Sequence, residues 1–123
     1  MERVKRRTEE GYRGKIWSLI EGDIESLHVG HIEDAYRMGD DFCGKIWREV
    51  IEYLGATLAS IVNLLNPEMI ILGGGVIYGT KYLIDDARDV MRRRAMKASL
   101  EGLCIERAML GEDAAILGAA FVE

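Results

Sequence analysis

The sequence predicts an α/β chain in which three helices lead into a β-α-β-α unit with parallel strands. Three observations predict it. A long run of apolar residues recurs at three- and four-residue steps, an unalternating apolar tetrad is closed by three glycines, and a second short apolar segment follows one further helix. At 123 residues, 49% hydrophobic and 30% charged, the chain has the size of one small domain with its own core and is too apolar for disorder. No apolar run approaches the roughly 18 residues a membrane helix needs.

The elements follow in order. Arg3 to about Ile20 reads as a helix weakened by Gly11 and Gly14, each costing about 1 kcal/mol against alanine. Glu21-Gly22-Asp23 breaks it, and Leu27 to Gly39 reads as a short helix stopped by its glycine. The strongest period comes next. Asp40 or Asp41 caps a helix whose apolar positions are Ile46, Trp47, Val50, Ile51, Leu54, Leu58, Ile61, Val62 and Leu65, and Asn66-Pro67 ends it. A second stripe of small residues, Gly55, Ala56, Ala59 and Ser60, lets another backbone approach, so this helix is expected to be buried on two sides. Met69-Ile70-Ile71-Leu72 has no alternation, the pattern of a strand covered on both faces.

Lys81 to about Met96 is helical, with Leu83, Ile84, Ala87, Val90 and Met91 inward and Arg92-Arg93-Arg94 at the negative end of the dipole. Cys104 to Leu110 is the second strand. Gly111-Glu112-Asp113 and a small-residue helix from Ala114 to Val122 close the chain. Two parallel strands do not make a stable sheet alone, so cover or further strands are expected from elsewhere. The organisation expected is a single partial domain over 1–123, with a helical lead-in over 1–39 and the long helix and β-α-β-α part over 40–123.

Chemistry concentrates at Gly73-Gly74-Gly75, where the absence of Cβ atoms lets the backbone turn sharply and a ligand come close. Two nucleotide signatures fail there. G-x-G-x-x-G would need glycine at position 78, which is Tyr78, and the phosphate loop would need lysine before threonine where Thr80-Lys81 stand. Spacing alone leaves a structural turn and a ligand-approach loop both open. Gly111-Glu112-Asp113 leaves the second strand in the same direction, either as a capping segment or as a second wall of the same site. His28, His31 and Cys43 do not make a metal spacing, so no metal site is expected. Trp17 and Trp47 read as core or interface anchors. Six basic residues lie in the first fifteen, but the net charge is −5, which argues against a nucleic-acid face. The two cysteines, Cys43 and Cys104, and the absence of an apolar leader fit a reducing cytoplasm.

Leu64-Leu65-Asn66-Pro67-Glu68-Met69-Ile70-Ile71-Leu72-Gly73-Gly74-Gly75-Val76 resembles the C-terminal part of the ROK family of sugar kinases and sugar-responsive repressors. So do Tyr53 to Ala59, Asn63, Met91 to Ala95, Ile32 to Asp40, and Leu110 through Gly118-Ala119-Ala120. The resemblance implies the C-terminal part of an actin-like, hexokinase-type (RNase H-like) ATPase lobe. It implies ATP or ADP with Mg as cofactor, and nucleotide contact at Gly73, Gly74, Gly75 and Gly111. The family's D-x-G-x-T phosphate loop, catalytic aspartate, sugar-gripping Glu-His pair and Cys-rich zinc motif have no counterpart in this sequence. The expectation is therefore a part of a hexose kinase that is inactive alone and carries no catalytic residue. Its expected partner is a missing N-terminal kinase half or a second copy. A repressor part and a non-catalytic dimerisation module are the alternatives, with membrane and nucleic acid not expected as partners of this chain.

Overall fold

The computed structural model describes residues 1–108, and these form two compact units, one over Met1–Ile51 and one from Glu52 onward. Seven helices and two strands are described, in the order α1 (Glu2–Glu9), α2 (Lys15–Leu19), α3 (Val29–Arg37), α4 (Asp41–Leu65), β1 (Met69–Leu72), α5 (Gly75–Tyr78), α6 (Leu83–Arg94), α7 (Lys97–Leu100) and β2 (Cys104–Arg107). The final helix expected from Ala114 to Val122 lies outside the described residues, as do the last positions expected of β2.

In the first unit the single helix expected from Arg3 to Ile20 is two. Gly11 has φ +105°, a conformation that stops α1, and Arg13 turns back to donate to the Thr8 carbonyl at 2.7 Å. Propensity alone would charge each glycine about 1 kcal/mol, but the left-handed backbone makes the interruption complete. Gly14 is small for another reason, since a Cβ there would collide with the Tyr12 hydroxyl and the Asp40 carboxylate. Glu21 (φ 54°) and Gly22 (φ 75°) make the expected break, and a 3-10 turn, Ile24–Ser26, leads into α3, which packs on α2.

Asp40 ties this unit together. Its carboxylate accepts from the Cys43 amide at 2.9 Å, closing the first turn of α4, from the Ile16 amide of α2 at 3.2 Å, and from the Tyr12 hydroxyl. Around it Val4, Ile16, Ile32, Ala35, Cys43 and Trp47 are buried. Trp47 is the core anchor expected, stacked on Tyr36 with centroids 6.1 Å apart. Trp17 is half-buried, with the Arg13 guanidinium 4.1 Å over its ring.

The long helix α4 has 25 residues, about 38 Å at 1.5 Å per residue. Beyond Glu52 it meets α6 at Gly55, where an added Cβ would overlap Val90 and lie 2.8 Å from the Ala87 carbonyl oxygen. The five inward positions expected of α6 are all buried. Arg93 and Arg94 reach Glu52 at 3.3 and 3.1 Å, and the Asn63 side chain accepts from the Met96 amide at 2.9 Å. The small-residue stripe therefore marks a helix crossing at Gly55.

β1 and β2 are parallel, with Met69 opposite Cys104 and Leu72 opposite Arg107. Here the expectation of cover on both faces fails. Ile70 and Leu72 are half-buried and Ile105 is buried, whereas Met69 and Ile71 are 53% and 63% exposed and their neighbours Cys104 and Glu106 are exposed too. An unalternating strand here follows from apolar residues on an open face, because the described residues cover one face of the sheet. Residues α5 and α7 contribute, each four long, were not legible as helices in the sequence.

Candidate functional site

The glycine turn leaves the carboxyl end of β1 and runs directly into α5. Gly73, Gly74 and Gly75 are all exposed. Gly74 has φ +102° and open space where a Cβ would stand, so its glycine is required by the backbone and not by crowding. At Gly73 a Cβ would lie 3.3 Å from the Tyr78 hydroxyl oxygen and 3.5 Å from Ala108 Cβ. The turn is sharp and carries no side chain of its own, with open space at Gly74 and the Tyr78 hydroxyl against Gly73.

The second strand braces it. The Tyr78 hydroxyl donates to the Ala108 carbonyl at 3.1 Å, and Arg107 donates to the Thr80 carbonyl at 3.0 Å. Thr80 is buried and donates its hydroxyl to the Val76 carbonyl at 2.8 Å, which closes the turn of chain after α5. Ligands of parallel α/β sheets bind beyond the carboxyl ends of the strands, and this is that end of both β1 and β2. Tyr78, Thr80 and Arg107 did not stand out in the sequence. The register of β2 is the signal that brings Arg107 here, and it is set only by folding. Gly111 lies outside the described residues.

Other candidates separate from this turn. His28 and His31 form a cap at the start of α3. The Gly30 amide donates to His28 Nδ1 at 3.1 Å and the His28 amide to His31 Nδ1 at 3.2 Å, with the rings 3.8 Å apart. Among the described residues no group of three or more His, Cys, Asp or Glu could hold a metal ion, and no helix is long and apolar enough to cross a membrane. Burial and the neighbouring Asp40 carboxylate push the Cys43 thiol up to about 12, so it stays protonated.

The fold and the turn define an α/β chain with a glycine turn at the carboxyl end of a two-stranded parallel sheet. Comparison with known proteins gives its family. The ROK family model matches residues 9–122, and the chain belongs to the ROK family. It is 31% identical over 97% of its length to a glucokinase of Thermotoga maritima, covering 38% of that protein. It is 29% identical over 78% of its length to a xylose repressor of Caldicellulosiruptor bescii, covering 24% of it. In structure it is similar to a ROK family glucokinase from Streptomyces griseus solved with glucose and AMPPNP. The TM-score is 0.68 at 30% identity, over 85% of this chain and 34% of that one. The chain thus spans between about a quarter and two fifths of the length of these relatives.

Proposed function

We propose that the chain is the C-terminal, nucleotide-facing part of a ROK-type sugar kinase, which phosphorylates a hexose with ATP only when completed by the residues this chain lacks. In this reading it is the last portion of the second lobe of an actin-like ATPase. Gly73, Gly74 and Gly75 lie along the nucleotide and Gly111 forms a second wall. The observation that carries the proposal is the bare, positive-φ glycine turn at the carboxyl end of a parallel strand, in a chain similar to a glucokinase that binds AMPPNP.

The chain's own contribution is backbone and shape. Gly74 lets the chain reverse within one residue, so that no side chain stands between β1 and the ligand. Tyr78 and Arg107 fix the turn against β2. The described residues do not fit a magnesium cage, so magnesium would arrive on the nucleotide's phosphates. In this reading the family's catalytic aspartate has no counterpart in the chain, so phosphoryl transfer waits on groups that the completing half supplies.

The open face of the sheet, with Met69 and Ile71 exposed, is where the completing half would dock, and in its absence a second copy. Similarity to a xylose repressor supports a second reading, in which the same chain is part of a sugar-responsive repressor. A coupled assay of glucose phosphorylation by the purified chain should show no turnover above background. Turnover by the chain alone would contradict its incompleteness.

A further inference from the structure

Independently of the nucleotide reading, the first unit carries a basic groove. The heptad-like spacing of Arg3, Arg6, Arg7 and Glu10 places these residues on one side of α1 and its C-terminal cap, while Val4 and Thr8 are buried on the other. Across from them the start of α4 presents Phe42, Lys45 and Glu49 at the same three- and four-residue steps. Arg3, Arg6, Arg7, Glu10, Phe42 and Lys45 line a groove of about 500 Å³, within the size range of small-molecule sites.

Two of its arginines have partners. Arg3 is paired with Glu49, Arg7 lies 3.4 Å from Glu10, and the Arg7 guanidinium stands 5.7 Å over the Phe42 ring and 5.9 Å over Tyr12. Glu49 pairs with Arg3, and Glu2 and Glu9 line the neighbouring hollow with Arg3 and Arg6. The groove's own lining holds four cations, Arg3, Arg6, Arg7 and Lys45, against one carboxylate, Glu10, an excess of cations in the lining alone. This excess sits in a chain of net charge −5, so it is a local feature and not a general basic surface. Guanidinium groups match phosphate oxygens in geometry as well as charge, and Phe42 offers an apolar surface beside them.

We propose that this groove binds a small phosphomonoester, its dianionic phosphate taken by Arg6 and Lys45 between the two anchored arginines and its organic group placed against Phe42. The ligand is a small molecule rather than a polyanion because the cations are confined to one groove and flanked by carboxylates that would repel an extended chain of phosphates. The test is an NMR titration of the whole chain with phenyl phosphate, at low and at moderate salt, beside Arg6→Gln/Lys45→Gln and, as a control, Arg92→Gln at the far end of α6. Arg6 and Lys45 are exposed, so the double variant should keep the melting temperature of the parent.

Shifts at Arg6, Phe42 and Lys45, weakened at least tenfold in the double variant and unchanged in the control, are expected. Absence of these shifts at millimolar phenyl phosphate, or equal affinity in the double variant, would overturn the proposal. Tighter binding of a short DNA duplex than of phenyl phosphate in the same groove would overturn it in favour of nucleic acid.

Discussion

Asp40 joins three parts of the first unit, accepting hydrogen bonds from Tyr12, from the Ile16 amide of α2 and from the Cys43 amide of α4. Burial works against its charge, but hydrogen bonds from Tyr12 and from the Cys43 and Ile16 amides outweigh it and hold its carboxyl below the usual range. The same contact, with burial, raises the Tyr12 hydroxyl to about 12. A carboxyl depressed in the folded state stabilises the fold above its unfolded value and ceases to do so as pH falls through the folded one, so this contribution disappears below about pH 4. Asp40→Ala removes a helix cap and leaves the Ile16 amide unpaired. It should cost about 2–4 kcal/mol, read by urea unfolding at neutral pH, and a loss under half that would show that the amides find other partners. In the cap of α3, His31 titrates the other way in charge but with the same sign in pH. Burial and the neighbouring His28 lower the pKa of His31, with Asp34 opposing them. The His31 Nδ1 accepts from the His28 amide, which a ring protonated there cannot do. The stabilisation is present above the imidazole's ordinary value and is lost as pH falls below about 6.5. The protection of the His28 amide from exchange should therefore fall relative to that of Val50 between neutral and mildly acidic pH, and a pH-independent ratio would contradict this. The acidic cap was legible in the sequence, because Asp40 precedes a strong helical period. The histidine cap was not, because His28 and His31 read as surface residues until their backbone partners are known.

At the scale of elements, the crossing of α4 and α6 decides the second unit. Gly55→Ala gains about 1 kcal/mol of helix propensity, but the new methyl would overlap Val90 at the crossing. Overpacking of this kind costs about 1–3 kcal/mol, and the Ala87 backbone cannot move aside as a side chain would. The variant should be less stable by at least 1 kcal/mol in thermal unfolding, and a stabilised variant would mean that α6 slides at no cost. The small-residue stripe predicted this crossing, and the five inward positions of α6 were equally plain, because both patterns are local to one helix. The interruption at Gly11 was read as a weak point and is a full break, since a period says nothing about a positive φ. α5 and α7 span too few residues to show any period at all. Met69 and Ile71 misled for a related reason. An apolar run records what a strand can be covered by, and the residues that cover it are set by the rest of the fold.

At the scale of the whole molecule, the chain belongs to the ROK family and spans 38% of the length of its Thermotoga maritima relative, and its second unit carries exposed apolar residues. Tyr53 and Leu64 are 80% and 81% exposed on α4, and Leu65, Met69 and Ile71 are exposed beside the strand. Such an apolar surface supports the proposed docking of a completing half there. The glycine turn lies in the same unit, so the nucleotide reading concerns residues whose backbone is already formed in this chain. The most direct test is an NMR titration of the chain with Mg-ADP, followed on the backbone amides of Gly73, Gly74 and Gly75 and repeated with Gly74→Val. A valine at φ +102° carries about 1–3 kcal/mol of strain, confined to the turn. The account predicts saturable shifts at these three glycines that the variant loses while the spectrum of the first unit stays unchanged. Shifts confined to other residues, or none at millimolar nucleotide, would contradict it.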